Sequence, residues 1–144
     1  MKHKILYFLP LLLCVGGCFK NNAAVPPLVV PSGTFTGEFR LLHRSSVNKP
    51  FDTTKAEIVL TLNTPAYTYT VTGDTSTVHA GSKGVWGLNN SYINFSDSTY
   101  PKSGTPAKTH LSGLYLYYYN GSVFQMIATS ADTLALQYDL KKTQ

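Results

Sequence analysis

Three histidines, His43, His79 and His110, would make a metal site if their imidazoles met. No two of them stand two apart, as on one strand face, or four apart, as on one helix face. Each lies near an expected loop, so exposed loop histidines and no metal site are expected. Asp74, Asp97, Asp132 and Asp139 sit at or near expected turns, where aspartate caps backbone amides. Glu38 and Glu57 fall on the expected outer faces of strands. A general acid and base must converge in a dry pocket, and the sequence brings no two carboxylates together. What remains is tyrosine. Tyr115, Tyr117 and Tyr119 form one stripe, with Leu114, Leu116 and Tyr118 on the other face. A tyrosine offers an apolar ring and a polar tip, which is chemistry of recognition. An enzyme is not expected, nor a cofactor.

Two short motifs touch catalysis. Ser46-Val47-Asn48-Lys49 fits the Ser-x-x-Lys pattern of penicillin-recognising enzymes, and Lys102-Ser103-Gly104 is similar to their Lys-Thr-Gly triad. Those enzymes present the serine from a helical domain, for which this chain has no room.

The elements that must position these residues read as strands. From Gly33 onward apolar residues recur with period two, the mark of half-buried strands. Phe35, Gly37, Phe39 and Leu41 share one face. Ile58, Leu60 and Leu62 share another, and Pro65 separates them from Tyr67, Tyr69 and Val71, so a hairpin is expected there. Val85–Leu88 and Tyr92–Phe95 flank the Asn89-Asn90 turn. Leu111–Tyr119 and Val123–Thr129 flank Asn120-Gly121, which suits a two-residue hairpin turn. Leu134, Leu136, Tyr138 and Leu140 line the last strand. Thr, Tyr, Val and Phe are abundant, as strands favour, and no helical stripe of useful length occurs. About eight short strands at hairpin spacing predict an all-β fold, a single antiparallel up-and-down barrel whose closure removes both edges. Its core is expected to hold Phe35, Phe39, Trp86, Leu114, Leu116, Phe124, Met126, Leu134, Leu136 and Tyr138, since period-two faces must register together.

The N-terminus speaks about place. Met1–Lys4 is basic, Ile5–Val15 is almost purely apolar, and Val15-Gly16-Gly17 leads into Cys18. This is the layout of a secretory signal, and the apolar run is shorter than the roughly 20 residues that span a bilayer. Small residues before cysteine resemble the lipobox of bacterial lipoproteins. The resemblance implies cleavage before Cys18, acylation of that cysteine and a lipid-held protein of the cell envelope. With no acidic residue just after Cys18, it implies the outer membrane. Cys14 follows three leucines and is not expected to serve. The division expected is a signal peptide at 1–17, a lipidated cysteine and flexible proline-bearing tether at 18–32, and a barrel at 33–144. Removing residues 1–17 leaves 10 Lys and Arg against 7 Asp and Glu. These are scattered rather than clustered, so no nucleic-acid partner is expected. With Cys18 acylated, no thiol remains for a disulfide or a metal. About 110 ordered residues suit one modest core and a monomer is expected.

Gly33-Thr34-Phe35-Thr36-Gly37, Gly84-Val85-Trp86-Gly87-Leu88 and Tyr138-Asp139-Leu140-Lys141-Lys142 together resemble the lipocalin-like domains of small bacterial lipoproteins. Phe35 stands where lipocalins place the tryptophan of their opening Gly-x-Trp. The resemblance implies a small apolar or amphipathic ligand. Such a ligand would sit in a cup lined by Tyr67, Tyr69, Trp86, Phe124 and Tyr138, beneath a mouth framed by Arg44–Thr54 and Ser96–Thr109. The alternative is a barrel filled by its own side chains, contacting glycans or another envelope protein through outward Tyr115, Tyr117 and Tyr119.

Overall fold

The structure, a computed structural model, describes residues 27–144. The signal segment, Cys18 and most of the tether therefore lie outside the described residues. Eight strands follow one another: β1 (Gly33–His43), β2 (Asp52–Asn63), β3 (Thr68–Gly73), β4 (Ser82–Leu88), β5 (Tyr92–Asp97), β6 (Gly113–Tyr119), β7 (Val123–Ser130) and β8 (Leu134–Lys142). Each pairs antiparallel with the next, and β8 returns to pair with β1, Phe39 opposite Tyr138. The result is a closed up-and-down barrel, as the alternation predicts.

Connections alternate between two ends. Residues 44–51, 74–81, 98–112 and 131–133 gather at one end, here the mouth. Short turns at 64–67, 89–91 and 120–122 lie at the other, where the chain also enters β1 and leaves β8. The last of these turns spans three residues rather than the expected two. Asn120 Oδ1 accepts from the amides of Ser122 and Val123 at 3.0 and 2.8 Å. Gly121 supplies the left-handed residue, φ +97°. Two glycines of the opening and central motifs have a different use. A Cβ on Gly84 would lie 2.0 Å from the Ser96 carbonyl oxygen, and one on Gly37 2.2 Å from that of Asp139. Only glycine lets these neighbouring strands approach so closely.

The inward faces of all eight strands fill the barrel. Phe35, Phe39, Leu60, Ile93, Phe124 and Tyr138 are wholly buried, with Trp86, Met126 and Leu140 nearly so. Rings meet edge to face or tilted along the axis. Tyr69 meets Phe95 at 5.0 Å, Tyr115 meets Tyr138 at 5.6 Å and Phe39 meets Tyr138 at 4.9 Å. Towards the other end Phe35 packs on Phe124 at 5.2 Å. These contacts are the packing that an eight-stranded barrel leaves room for.

Strand β6 reverses the expected orientation. Tyr115 is buried and pairs with Ile93, while Tyr117 and Tyr119 pair with Met126 and Phe124 and pack on the core. Leu114 and Leu116 point outward, 58% and 50% exposed. Both faces of this strand are apolar, so periodicity alone cannot choose between them. Volume and hydrogen bonding favour the tyrosines inside: Tyr117 and Tyr119 fill more space and still donate to the carbonyls of Asn89 (2.9 Å) and Gly121 (3.1 Å) at the barrel end. Leu136 packs against the core as expected, but Leu134, at the mouth end of β8, is only half-buried and outside it.

Candidate functional site at the barrel mouth

The residues expected to line a cup do not surround an open lumen. Tyr69, Trp86, Phe124 and Tyr138 are buried in the packed interior. Tyr67 is not on the wall at all. It sits in the β2–β3 turn with φ +51°, half exposed, its ring 5.1 Å from that of Trp86. Trp86 in turn donates from Nε1 to the Thr68 carbonyl at 3.1 Å. The tyrosine belongs to the turn because Pro65 ends the pairing of β2 before it.

At the mouth, two loops fold inward and zip together. Ala80 donates to the Thr109 carbonyl and Thr109 to that of Val78, both at 2.8 Å, and Lys108 Nζ donates to the Thr75 carbonyl at 2.6 Å. This carries His79 to full burial, contrary to the exposed loop position expected for it. Its Nδ1 lies 2.6 Å from the Ala80 carbonyl oxygen, which can only accept, so the proton sits on Nδ1. Nε2 then accepts from the Tyr138 hydroxyl at 2.9 Å. Burial pushes the imidazole down to about 4, against the opposing effect of the Ala80 bond, and keeps it neutral. Burial likewise raises the Tyr138 and Tyr115 phenols. Sequence reasoning missed His79 because a loop that folds inward carries no periodicity.

His110 is also mostly covered. Its Nδ1 meets Asp97 Oδ2 at 2.7 Å, and the Asp97 side chain is wholly buried. The other carboxylate oxygen accepts from the Thr99 amide at 2.7 Å and hydroxyl at 2.5 Å. Burial alone would raise the Asp97 carboxyl, but the bonds from Thr99 and His110 outweigh it and hold it below the usual carboxylate range. Asp74 caps its turn in the same way through Ser76, as expected of both. Asp139 is different, lying within β8. It faces Glu38 across the β1–β8 pair, with Arg40 bonding to both. Two carboxylates thus do come together, contrary to expectation, but on the partly solvated outer wall as an ion-pair network that Lys55 extends.

Beside the zipped loops lies a cleft of about 530 Å³, with Leu41, Val78, Pro106 and Leu136 as apolar lining and Tyr100, Lys108 and His110 as polar groups. The two long loops expected to frame a mouth do meet this end. Tyr100 stacks at 5.3 Å on the His110 ring, and no protein group described here bonds to His110 Nε2. The volume falls within the ordinary range for small-molecule sites, and an apolar lining with a few fixed polar groups is their usual chemistry. No cluster of three or more His, Cys, Asp or Glu side chains suited to a metal occurs among the described residues.

Two buried hydroxyls, Ser82 Oγ and Tyr115 Oη, have no hydrogen-bond partner of good geometry among the described residues. A buried donor left unpaired contributes nothing that its removal would forfeit. Tyr115→Phe is therefore expected to leave stability unchanged or raise it slightly. Tyr138→Phe strips His79 Nε2 of its donor and should cost about 1–3 kcal/mol. Chemical denaturation of the two variants checks this, and equal losses in both would contradict the assigned bonds.

Comparison of the chain with protein-family models, with curated proteins and with solved structures finds no match, so its function is read from its own residues.

Proposed function

We propose that this chain is a lipid-anchored protein of the bacterial envelope, held through Cys18, whose barrel binds a small apolar or amphipathic molecule at its mouth. The observation that carries the binding reading is the apolar cleft beside the zipped loops, with the His110 imidazole oriented by buried Asp97. The filled interior moves the expected site outward, from the cup to the rim. Support for the anchor comes from the basic start, the apolar run and the small residues before Cys18. A residue bearing several acyl chains stays at the membrane far longer than one bearing a single chain.

Purification of the Cys18→Ser protein from an envelope extract, followed by mass spectrometry of what it carries, tests the binding reading. A co-purifying small amphiphile is expected, lost on Tyr100→Ala with His110→Ala and kept on Tyr69→Phe. The reading fails if the wild type carries nothing and binds no hydrophobic dye, or if the cleft substitutions change neither.

A second reading, an interaction module for glycans or another envelope protein, draws on the outward face of β6. Leu114 and Leu116 stand exposed there beside Ile127 of β7. Solutes binding equally well after Leu114→Ser and Leu116→Ser would set that reading aside.

A further inference from the structure

We propose that the barrel end opposite the mouth rests on the lipid surface, so that the ligand cleft points away from the membrane. This rests on the anchored reading above and specifies which face the anchor presents.

An exposed tyrosine lies in or beside each of the three successive turns at that end. Tyr67 lies in the β2–β3 turn, Tyr92 follows the β4–β5 turn and Tyr118 precedes the β6–β7 turn, at 44%, 44% and 55% exposure. Rings with hydroxyl tips, arranged about one end, suit the boundary between acyl chains and headgroups, where tyrosine collects. The chain enters the barrel at the same end. Leu28 and Val29 are exposed on the way in and border a cleft with Tyr117, Tyr118 and Tyr119. Fourteen residues separate Cys18 from Gly33, a reach of roughly 50 Å at full extension. A cysteine held in the membrane therefore lets this end, where the chain enters, come down on the lipid surface.

Acidic groups are kept away from this end. None of the 7 acidic side chains lies at this end. Asp52, Asp74, Asp97 and Asp132 are at the mouth, and the other three lie along the strands, where Glu38 and Asp139 are paired with Arg40. Lys141 and Lys142, both exposed, close β8 at the tyrosine end. An anionic lipid surface attracts such lysines, whereas at the mouth the acidic groups are offset by Arg44, Lys49, Lys102 and Lys108.

All eight strands and the whole core fall within residues 33–142, so the chain from residue 18 with Cys18→Ser keeps the complete barrel without its lipid. Co-sedimentation of that protein with phosphatidylcholine vesicles, and with vesicles containing phosphatidylglycerol, tests the docking. Binding is expected to both and to be stronger to the anionic vesicles. The triple change Tyr67→Ser, Tyr92→Ser and Tyr118→Ser should weaken it at least tenfold. Lys141→Gln with Lys142→Gln should remove the anionic preference, about fivefold per lysine. Leu114→Ser, on the barrel side, should leave it unchanged, and circular dichroism confirms that each variant is folded. Absence of vesicle binding by the folded wild type, or equal binding by the triple variant, overturns the proposal. So does a gain of soluble-protein or glycan binding through these tyrosines with vesicle binding absent. Failure of the anchor is read separately, as no incorporation of labelled palmitate at Cys18 in cells.

Discussion

Trp86→Ala is expected to destabilise the barrel by about 3–5 kcal/mol, the usual range for deleting a buried tryptophan. The indole is 5% exposed, belongs to the core towards the end opposite the mouth and bonds to the Thr68 carbonyl. Its loss opens a cavity, leaves that acceptor unpaired and removes the surface on which the Tyr67 ring lies. A domain of this size has only about 5–15 kcal/mol in hand, so the variant should unfold at markedly lower denaturant with an unchanged slope. Trp86→Phe, which restores most of the volume, should recover much of the loss. A cost below about 1 kcal/mol would mean that the indole is not packed in the core.

The second large effect is on pH. His79 is held neutral in the folded barrel with its pKa down at about 4, against 6.5 when unfolded. Between these values the unfolded chain binds the proton and the folded chain does not. Stability is therefore full above about pH 6.5 and falls as the pH drops towards 4, by about 3 kcal/mol in all. Protonation would also end the bond that Nε2 accepts from Tyr138, loosening the zipped loops at the mouth. The paired Asp97 carboxyl, with its lowered pKa, adds a loss only at lower pH, as it takes up a proton. Denaturation curves at pH 7 and pH 4.5 check the slope. His79→Gln should flatten it in this window, and an unchanged slope in that variant would assign the effect to other groups.

Much of the barrel was legible because its outward faces are mostly polar. Phe35 and Phe39 alternate with Thr36, Glu38 and Arg40, and Ile58 and Leu60 with Glu57, so the core side of β1 and β2 could be read directly. On β6, Leu-Tyr-Leu-Tyr offers two apolar faces, and only pairing with Ile93 and Met126 decides between them. The candidate site was less legible. Its long loops could be named, but not that residues 74–81 and 98–112 bond to each other, since a bridge such as His79 with Thr109 joins two loops 30 residues apart in sequence. The same holds for Asp97 and His110, which are 13 residues apart and meet only because the intervening loop folds back. Tyr67 continued a period-two pattern that the chain abandons at the turn.

The most direct measurement is a map of where an amphiphile sits. Decanoate titrated into the Cys18→Ser chain from residue 18, followed by amide chemical shifts, should move Tyr100, Thr109, His110 and Leu136 together, along the cleft of about 530 Å³. Tyr69 and Phe124, sealed in the interior, should stay where they are. Shifts centred on those two residues would place the ligand inside the barrel, and the absence of any saturable shift would remove the ligand site altogether.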